Sequence, residues 1–282
     1  VVTGASAGIG RATARTLAAA GWRVIGVGRD PARAAEAEAE IRAVARAPFD
    51  MLRADLSLVS ETKRVAADIA ERVDVLFNNA GGVRDRRIVT SEGNEATFAA
   101  NHLAPFILTE RLLPQLRAAA RTGEPGATRI LAVSSTGHEY CKGTDWADLQ
   151  MLRGAFTPGA AYCQAKLANI LFTRELARRL APEGIVAQAM HPGVVDSNFG
   201  AHGDAAMQAH MKSLSGAPPE EPAETLFWMA TAAEAGAPGG RYFHQKAELL
   251  PSPVARDDDL ARRLWTETER IAAAIPHRPD LL

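Results

Sequence analysis

Thr3-Gly4-Ala5-Ser6-Ala7-Gly8-Ile9-Gly10 follows Val1-Val2 at the head of the chain. The two valines read as the end of a strand. The glycines read as a tight turn, and Ile9 to Ala20 as the helix it feeds. Gly4 permits the turn, while Gly8 and Gly10 allow close backbone approach and helix-on-sheet packing. Only the last part of the strand is present, so the start looks clipped, with room for a preceding extension or anchor.

Outward from this unit the same alternation continues. Trp22 to Gly28 reads as strand two. Asp30-Pro31 then starts a helix over Ala32 to Arg46, with Asp as N-cap and Pro at the first helical position. Further strands are expected at Phe49 to Ala54, Val73 to Phe77, Arg129 to Val133 and Ile185 to Met190, and an edge strand at Arg241 to Phe243. Helices are expected over Val59 to Glu71, Glu95 to Ala119, Ala161 to Leu180, Ala223 to Ala233 and Asp258 to Ile275. Alternation of this kind predicts an α/β fold, a parallel sheet with helices on both faces. The whole chain, 1–282, reads as one domain. Two long strand-poor segments, Thr136 to Gly159 and Asn198 to Glu221, follow predicted strands. Both should lie at the carboxyl edge of the sheet, where such folds bind ligands.

Bulk properties exclude several classes. Hydrophobic residues make up 47% and charged residues 23%, as in ordinary globular proteins. A net charge of −1 leaves no nucleic-acid footprint. No run of about 18 apolar residues suggests a membrane span. The two cysteines, Cys141 and Cys163, read as reduced thiols of a cytoplasmic protein. His202 and His210 lack a ligand cluster, so no metal site is expected. His138, His191 and His244 read as hydrogen-bonding residues, and Arg84-Asp85-Arg86-Arg87 as a solvated charge run.

The opening turn suits a dinucleotide. A helix N-terminus presents free N–H groups and a partial positive charge to phosphates, here beside Ser6, Gly8 and Ile9. Strand two ends in Gly28-Arg29, without the carboxylate that would hold a ribose 2′-hydroxyl. A guanidinium there can fork onto a 2′-phosphate, which favours NADP(H) over NAD(H). Arg29 as a solvated surface charge remains the plainer reading, and Asp30 has a competing role as helix cap. Asp55-Leu56 can accept from the adenine amino group and cover its ring. Alternatively Asp55 caps the next helix, in competition with Ser57 and Ser60. Asn78-Asn79-Ala80-Gly81 suits close packing along a cofactor.

Tyr162 and Lys166 stand four residues apart, on one helix face. Tyrosine titrates near 10, and a neighbouring ammonium favours the phenolate. Reaching about 7 takes roughly 4 kcal/mol at about 1.36 per unit, within reach of Lys166 and a cationic nicotinamide in a shielded site. The spacing alone is common on amphipathic helices. Ser134-Ser135 at a strand end adds a hydroxyl that can donate to a substrate carbonyl oxygen.

Together these blocks resemble the short-chain dehydrogenase/reductase family over nearly the whole chain. The resemblance implies a Rossmann-type doubly wound sheet of seven parallel strands, in the order 3-2-1-4-5-6-7. It implies hydride transfer between NADP(H) and a carbonyl or alcohol substrate. Tyr162 would be the acid/base, Lys166 would bind the nicotinamide ribose and lower the tyrosine pKa, and Ser135 would orient the substrate oxygen. Asn101 would support a proton relay. Pro192, Gly193, Val195 and Ser197 would flank the carboxamide, with Ser197 where the family usually has threonine. Asn101-His102-Leu103, the run Lys166 to Leu176, His191-Pro192-Gly193 and Ala261 to Trp265 are similar to the retinol-dehydrogenase-like branch, which includes the WW-domain oxidoreductases. Ala104-Pro105-Phe106 departs from that branch's Gly-His-Phe. Phe199, Met207, Met211 and Leu214 suggest an apolar substrate and a mobile lid over Asn198 to Glu221. A double-bond (enone) reductase, a non-catalytic dinucleotide sensor and a homo-oligomer remain alternatives or additions to this reading.

Overall fold

Eight strands form one sheet in the computed structural model, in the order β3-β2-β1-β4-β5-β6-β7-β8. The structure describes residues 1–141, 143–197, 199, 203–205, 208–209 and 213–274. Met207, Met211, His202, His210 and five further residues of the expected lid therefore lie outside the described residues. β1 (Val2–Thr3), β2 (Val24–Gly28), β3 (Phe49–Arg53), β4 (Val75–Asn78), β5 (Arg129–Val133), β6 (Val186–Met190) and β7 (Tyr242–His244) all pair in parallel. The expected order holds across these seven. The eighth strand, β8 (Ala247–Leu249), is an addition. It pairs antiparallel with β7 across Gln245 and Lys246, whose φ values are 48° and 65°. Neither residue favours that region as glycine or asparagine does, so no turn signal marks the hairpin in the sequence.

Helices α1 (Gly8–Ala19), α2 (Pro31–Val44) and α3 (Val59–Asp68) fill the first crossovers. Asp30 caps α2, accepting from the Arg33 N–H at 2.9 Å. The cap of α3 comes from neither Asp55 nor a serine. The Glu92 carboxylate, 33 residues on, accepts from the N–H groups of Val59 and Ser60. Successive strand residues face opposite layers. Ile130 and Ala132 enter the core beneath α5 (Ala104–Thr122) and α6 (Pro158–Leu180), whereas Leu131 and Val133 join the layer under α1 and α7 (Glu220–Thr231). α8 (Asp258–Ala274) packs along α6, with Trp265 between Phe106 and Phe172.

The expected single helix from Glu95 is broken. One α turn, α4 (Ala96–Phe98), leads into a π-helical run at Ala99–Leu103 before α5. Pro105 has no N–H to give to the turn before it, so regular i→i−4 bonding cannot run through this point.

Candidate active site

A cleft of about 550 Å³ opens at the carboxyl edge of the strands. Its first wall is the opening turn. Gly4 and Gly8 adopt φ of +72° and +50°. The Thr3 hydroxyl donates to the Phe77 carbonyl and accepts from the N–H groups of Asn79 and Ala80. The Asn79 amide donates to the Thr3 carbonyl at 2.8 Å, and the Asn78 amide donates to Thr109. Both amides thus brace the turn and sheet, although Asn79, Ala80 and Gly81 all border the cleft. Gly10 packs rather than lines: a Cβ there would stand 2.3 Å from the Gly4 oxygen. α1 starts without a side-chain cap or an acid in its first turn. Its first N–H groups, beside Ser6, Gly8 and Ile9, are left to the cleft with the positive end of the helix dipole.

At the adenosine-sized end stand Arg29, Arg33, Asp55 and Leu56. One Asp55 oxygen accepts from the Ser57 N–H and hydroxyl, at 3.0 and 2.7 Å. The other lies 3.8 Å from the Arg29 guanidinium. Of the expected solvated run, Asp85 and Arg86 are exposed and pair with each other, whereas Arg84 and Arg87 turn inward. Arg87 donates to the Gly154 carbonyl and stacks on Phe156. Arg84 turns into the cleft, half-buried. Burial, and then the facing Arg29, push its pKa below the usual arginine range. Its signal was positional, in the loop directly after β4.

The opposite end carries Ser135, Tyr162 and Lys166. α6 begins on Thr157, whose hydroxyl accepts from the Ala160 N–H, with Pro158 next. This start places Tyr162 at the cleft, with Lys166 one turn deeper. Lys166 is 5% exposed, and burial lowers its ammonium pKa to about 8. Its Nζ donates to the Val133 carbonyl at 3.0 Å and stands 5.4 Å from the centre of the Tyr162 ring. Burial pushes the Tyr162 phenol up to about 12, opposed by the Ser135 hydroxyl. The lowering expected from Lys166 together with a cationic nicotinamide concerns the loaded cleft; in the protein alone burial dominates the phenol. Ser134 donates to the Lys166 carbonyl at 2.8 Å, which leaves Ser135 as the serine whose hydroxyl faces Tyr162. Ser135 Oγ accepts from the Gly137 N–H at 3.1 Å. His138, fully buried, bridges the Ser135 carbonyl at 2.7 Å and the Ser252 N–H at 3.1 Å. The second contact makes Nε2 an acceptor, so Nδ1 carries the proton and donates.

Asn101 does not border the cleft through its side chain. Its amide donates to the Gly82 and Thr97 carbonyls, and its oxygen accepts from the Gly82 N–H. A Cβ on Gly81 would stand 2.4 Å from that oxygen and 3.5 Å from Lys166 Nζ. Asn101 thus holds the turn against Lys166. Pro192, Gly193, Val195 and Ser197 follow β6 along the cleft, with Ser197 Cβ 3.7 Å from where Gly8 would carry a Cβ. Thr136, Gly137 and Tyr140 from one long loop, and Phe199 and Leu214 from the other, border the same end. Among the described residues no group of three or more His, Cys, Asp or Glu comes together. No helix among them is long and apolar enough to cross a membrane.

The residues fit a dinucleotide: an uncapped helix end, a glycine cradle, and three guanidiniums at one end against few free carboxylates. Known proteins agree. Residues 1–144 match the model of the short chain dehydrogenase family. The chain is 36% identical to human retinol dehydrogenase 13, covering 96% of this chain and 83% of that protein. It is 39% identical to mouse polyprenol dehydrogenase, covering 97% and 83%. The Pseudomonas aeruginosa RhlG/NADP active-site complex superposes with a TM-score of 0.67 at 27% identity, over 86% of this chain and 92% of that one. The protein is an oxidoreductase of CH–OH and C=O groups that uses a nicotinamide dinucleotide, and it belongs to the retinol-dehydrogenase-like branch of the short-chain dehydrogenase/reductase family.

Proposed function

We propose that the protein interconverts an apolar carbonyl compound and its alcohol with NADP(H), as one domain whose substrate loops are residues 136–159 and 198–221. The observation that carries this is the floor of the cleft, where Ser135 and the Tyr162 phenol face each other with the Lys166 ammonium behind the ring. When bound, the nicotinamide supplies or takes up the hydride. Tyr162, neutral below its raised pKa, holds the proton that the substrate oxygen receives in reduction. Ser135 Oγ donates to that oxygen and holds it against the phenol. Asn101 and Gly81 keep Lys166 at the base of the cleft. Gly4, Ser6, Gly8 and Ile9 form the pyrophosphate cradle, with Gly10 packed beneath it, while Asp55, Leu56, Asn79, Ala80 and Gly81 border the adenosine. Pro192, Gly193, Val195 and Ser197 border the nicotinamide. Arg29 reads the 2′-phosphate.

The apolar character rests on the mouth. Tyr140, Val194 and Leu214 border it and are 79%, 39% and 37% exposed. Retinol and polyprenol, named for two relatives, are long apolar alcohols. The test is turnover of a panel of aldehydes and ketones of rising chain length with NADPH, with product identification. Reduction at carbon–oxygen, rising with chain length, is expected. Reduction only at a carbon–carbon double bond would make the protein an enone reductase, and cofactor binding without turnover would make it a sensor.

A further inference from the structure

Arg84 is a cation with no ion-pair partner among the described residues. Its neighbours in sequence are satisfied elsewhere: Asp85 pairs with Arg86, and Arg87 stacks on Phe156. Arg84 donates only to the carbonyl of Val83, at 3.2 Å, and forms no ion pair among the described residues. It is half-buried at the end of the cleft that also holds Arg29, Arg33 and Asp55. The acids that act on it are committed. Glu95, buried, caps α4 through the N–H groups of Thr97 and Phe98. Asp55 is shared between Ser57 and Arg29. A half-buried charge beside like charges lowers stability unless an anion joins it.

We propose that Arg84 is a second cationic arm for the adenosine 2′-phosphate, so that selectivity for NADP(H) is divided between the ends of β2 and β4. This rests on the NADP(H) reading above. A phosphomonoester carries nearly two charges and three acceptor oxygens, enough for forks from both guanidiniums. The pyrophosphate is the poorer match, since its cradle at Gly4 and Gly8 belongs to the N-terminus of α1, whereas Arg84 senses Arg29 and Asp55. β1 lies between β2 and β4 in the sheet. The loop ends thus stand roughly 10 Å apart, at about 4.8 Å per strand, a gap that two arginine side chains can close around one phosphate.

The experiment uses the full chain carrying Arg84→Met, Arg84→Lys or Arg29→Ala, with Kd measured by calorimetry for 2′,5′-ADP, 5′-AMP, NADPH and NADH. Arg84→Met should weaken 2′,5′-ADP and NADPH about ten- to hundredfold and leave 5′-AMP and NADH unchanged. Arg84→Lys should recover part of the loss, and the salt dependence of 2′,5′-ADP binding should flatten in the methionine variant. Equal weakening of 5′-AMP and 2′,5′-ADP would mean that Arg84 stacks on adenine, and no change would mean a solvated charge. Either result overturns the proposal. Failure of the underlying reading looks different: the unaltered protein would then bind NADH as tightly as NADPH.

Discussion

The two ends of the cleft handle charge in opposite ways. Under β5 and β6 the polar groups around the tyrosine are tied to one another and to the backbone. Lys166 donates to Val133, Ser134 to Lys166, and His138 spans Ser135 and Ser252. At the ends of β2 to β4 the charges are half-exposed and loosely held. Arg29 and Asp55 are 3.8 Å apart and each more than a third exposed, and Arg84 forms no ion pair among the described residues. A buried network costs desolvation during folding and then holds its geometry, which suits proton transfer. An exposed, under-neutralised cluster gains its counter-charge from a ligand, which suits selection by charge.

The largest effect that could break this contrast is on turnover. Tyr162→Phe removes only the phenolic oxygen, so kcat should fall by about 10²–10⁴ while Kd for NADPH stays constant. Steady-state rates with a responsive aldehyde and a fluorescence titration of cofactor check this. A variant turning over at the parent's rate would leave the buried end without its acid.

Second comes Arg29→Ala, which should weaken NADPH by about 1–3 kcal/mol, the scale of hydrogen bonds to charged groups. NADH should be nearly untouched. Parallel losses with both cofactors would show that the charged end recognises something common to them.

A smaller effect sharpens the buried end. Lys166 titrates at about 8 in the native protein against 10.5 for free lysine. Between these values the unfolded chain binds more protons, so native stability should rise with pH from about 8 to 10.5. Below pH 8 the buried ammonium destabilises fully. Lys166→Met should therefore melt higher than the parent at pH 7, by roughly 2–6 °C, and the gap should close towards pH 10.5. A gap independent of pH would remove the buried-charge account.

The smallest expected signal is the absence of one. With Tyr162 near 12 in the protein alone, ultraviolet titration should show no phenolate below about pH 10 that Tyr162→Phe abolishes. A phenolate near 7 without cofactor would restore depression by Lys166 alone.

Much of this was legible before any coordinates. The shift of apolar period between strands and helices, Asp30-Pro31 at a helix start and the four-residue step from Tyr162 to Lys166 are local properties. Local geometry carries them into the fold unchanged. The loops after β5 and β6 reached the cleft because parallel strands all end at one edge. Other features depended on residues far apart in the chain. Glu92 caps a helix that starts 33 residues before it. The paired amides of Asn78 and Asn79 turn inward to Thr109 and Thr3, and the side chain of Asn101 is spent on Gly82.

The sequence by itself determined the alternating fold, the glycine turn and the tyrosine–lysine face, since each follows from spacing along a few residues. Only the tertiary structure decided which arginine of a four-residue charge run enters the cleft, and which hydroxyl of Ser134-Ser135 faces Tyr162. It also decided that burial raises the Tyr162 phenol in the protein alone. Those outcomes turn on desolvation and on partners far along the chain, such as Lys166 for Ser134, and neither is a property of the local chain.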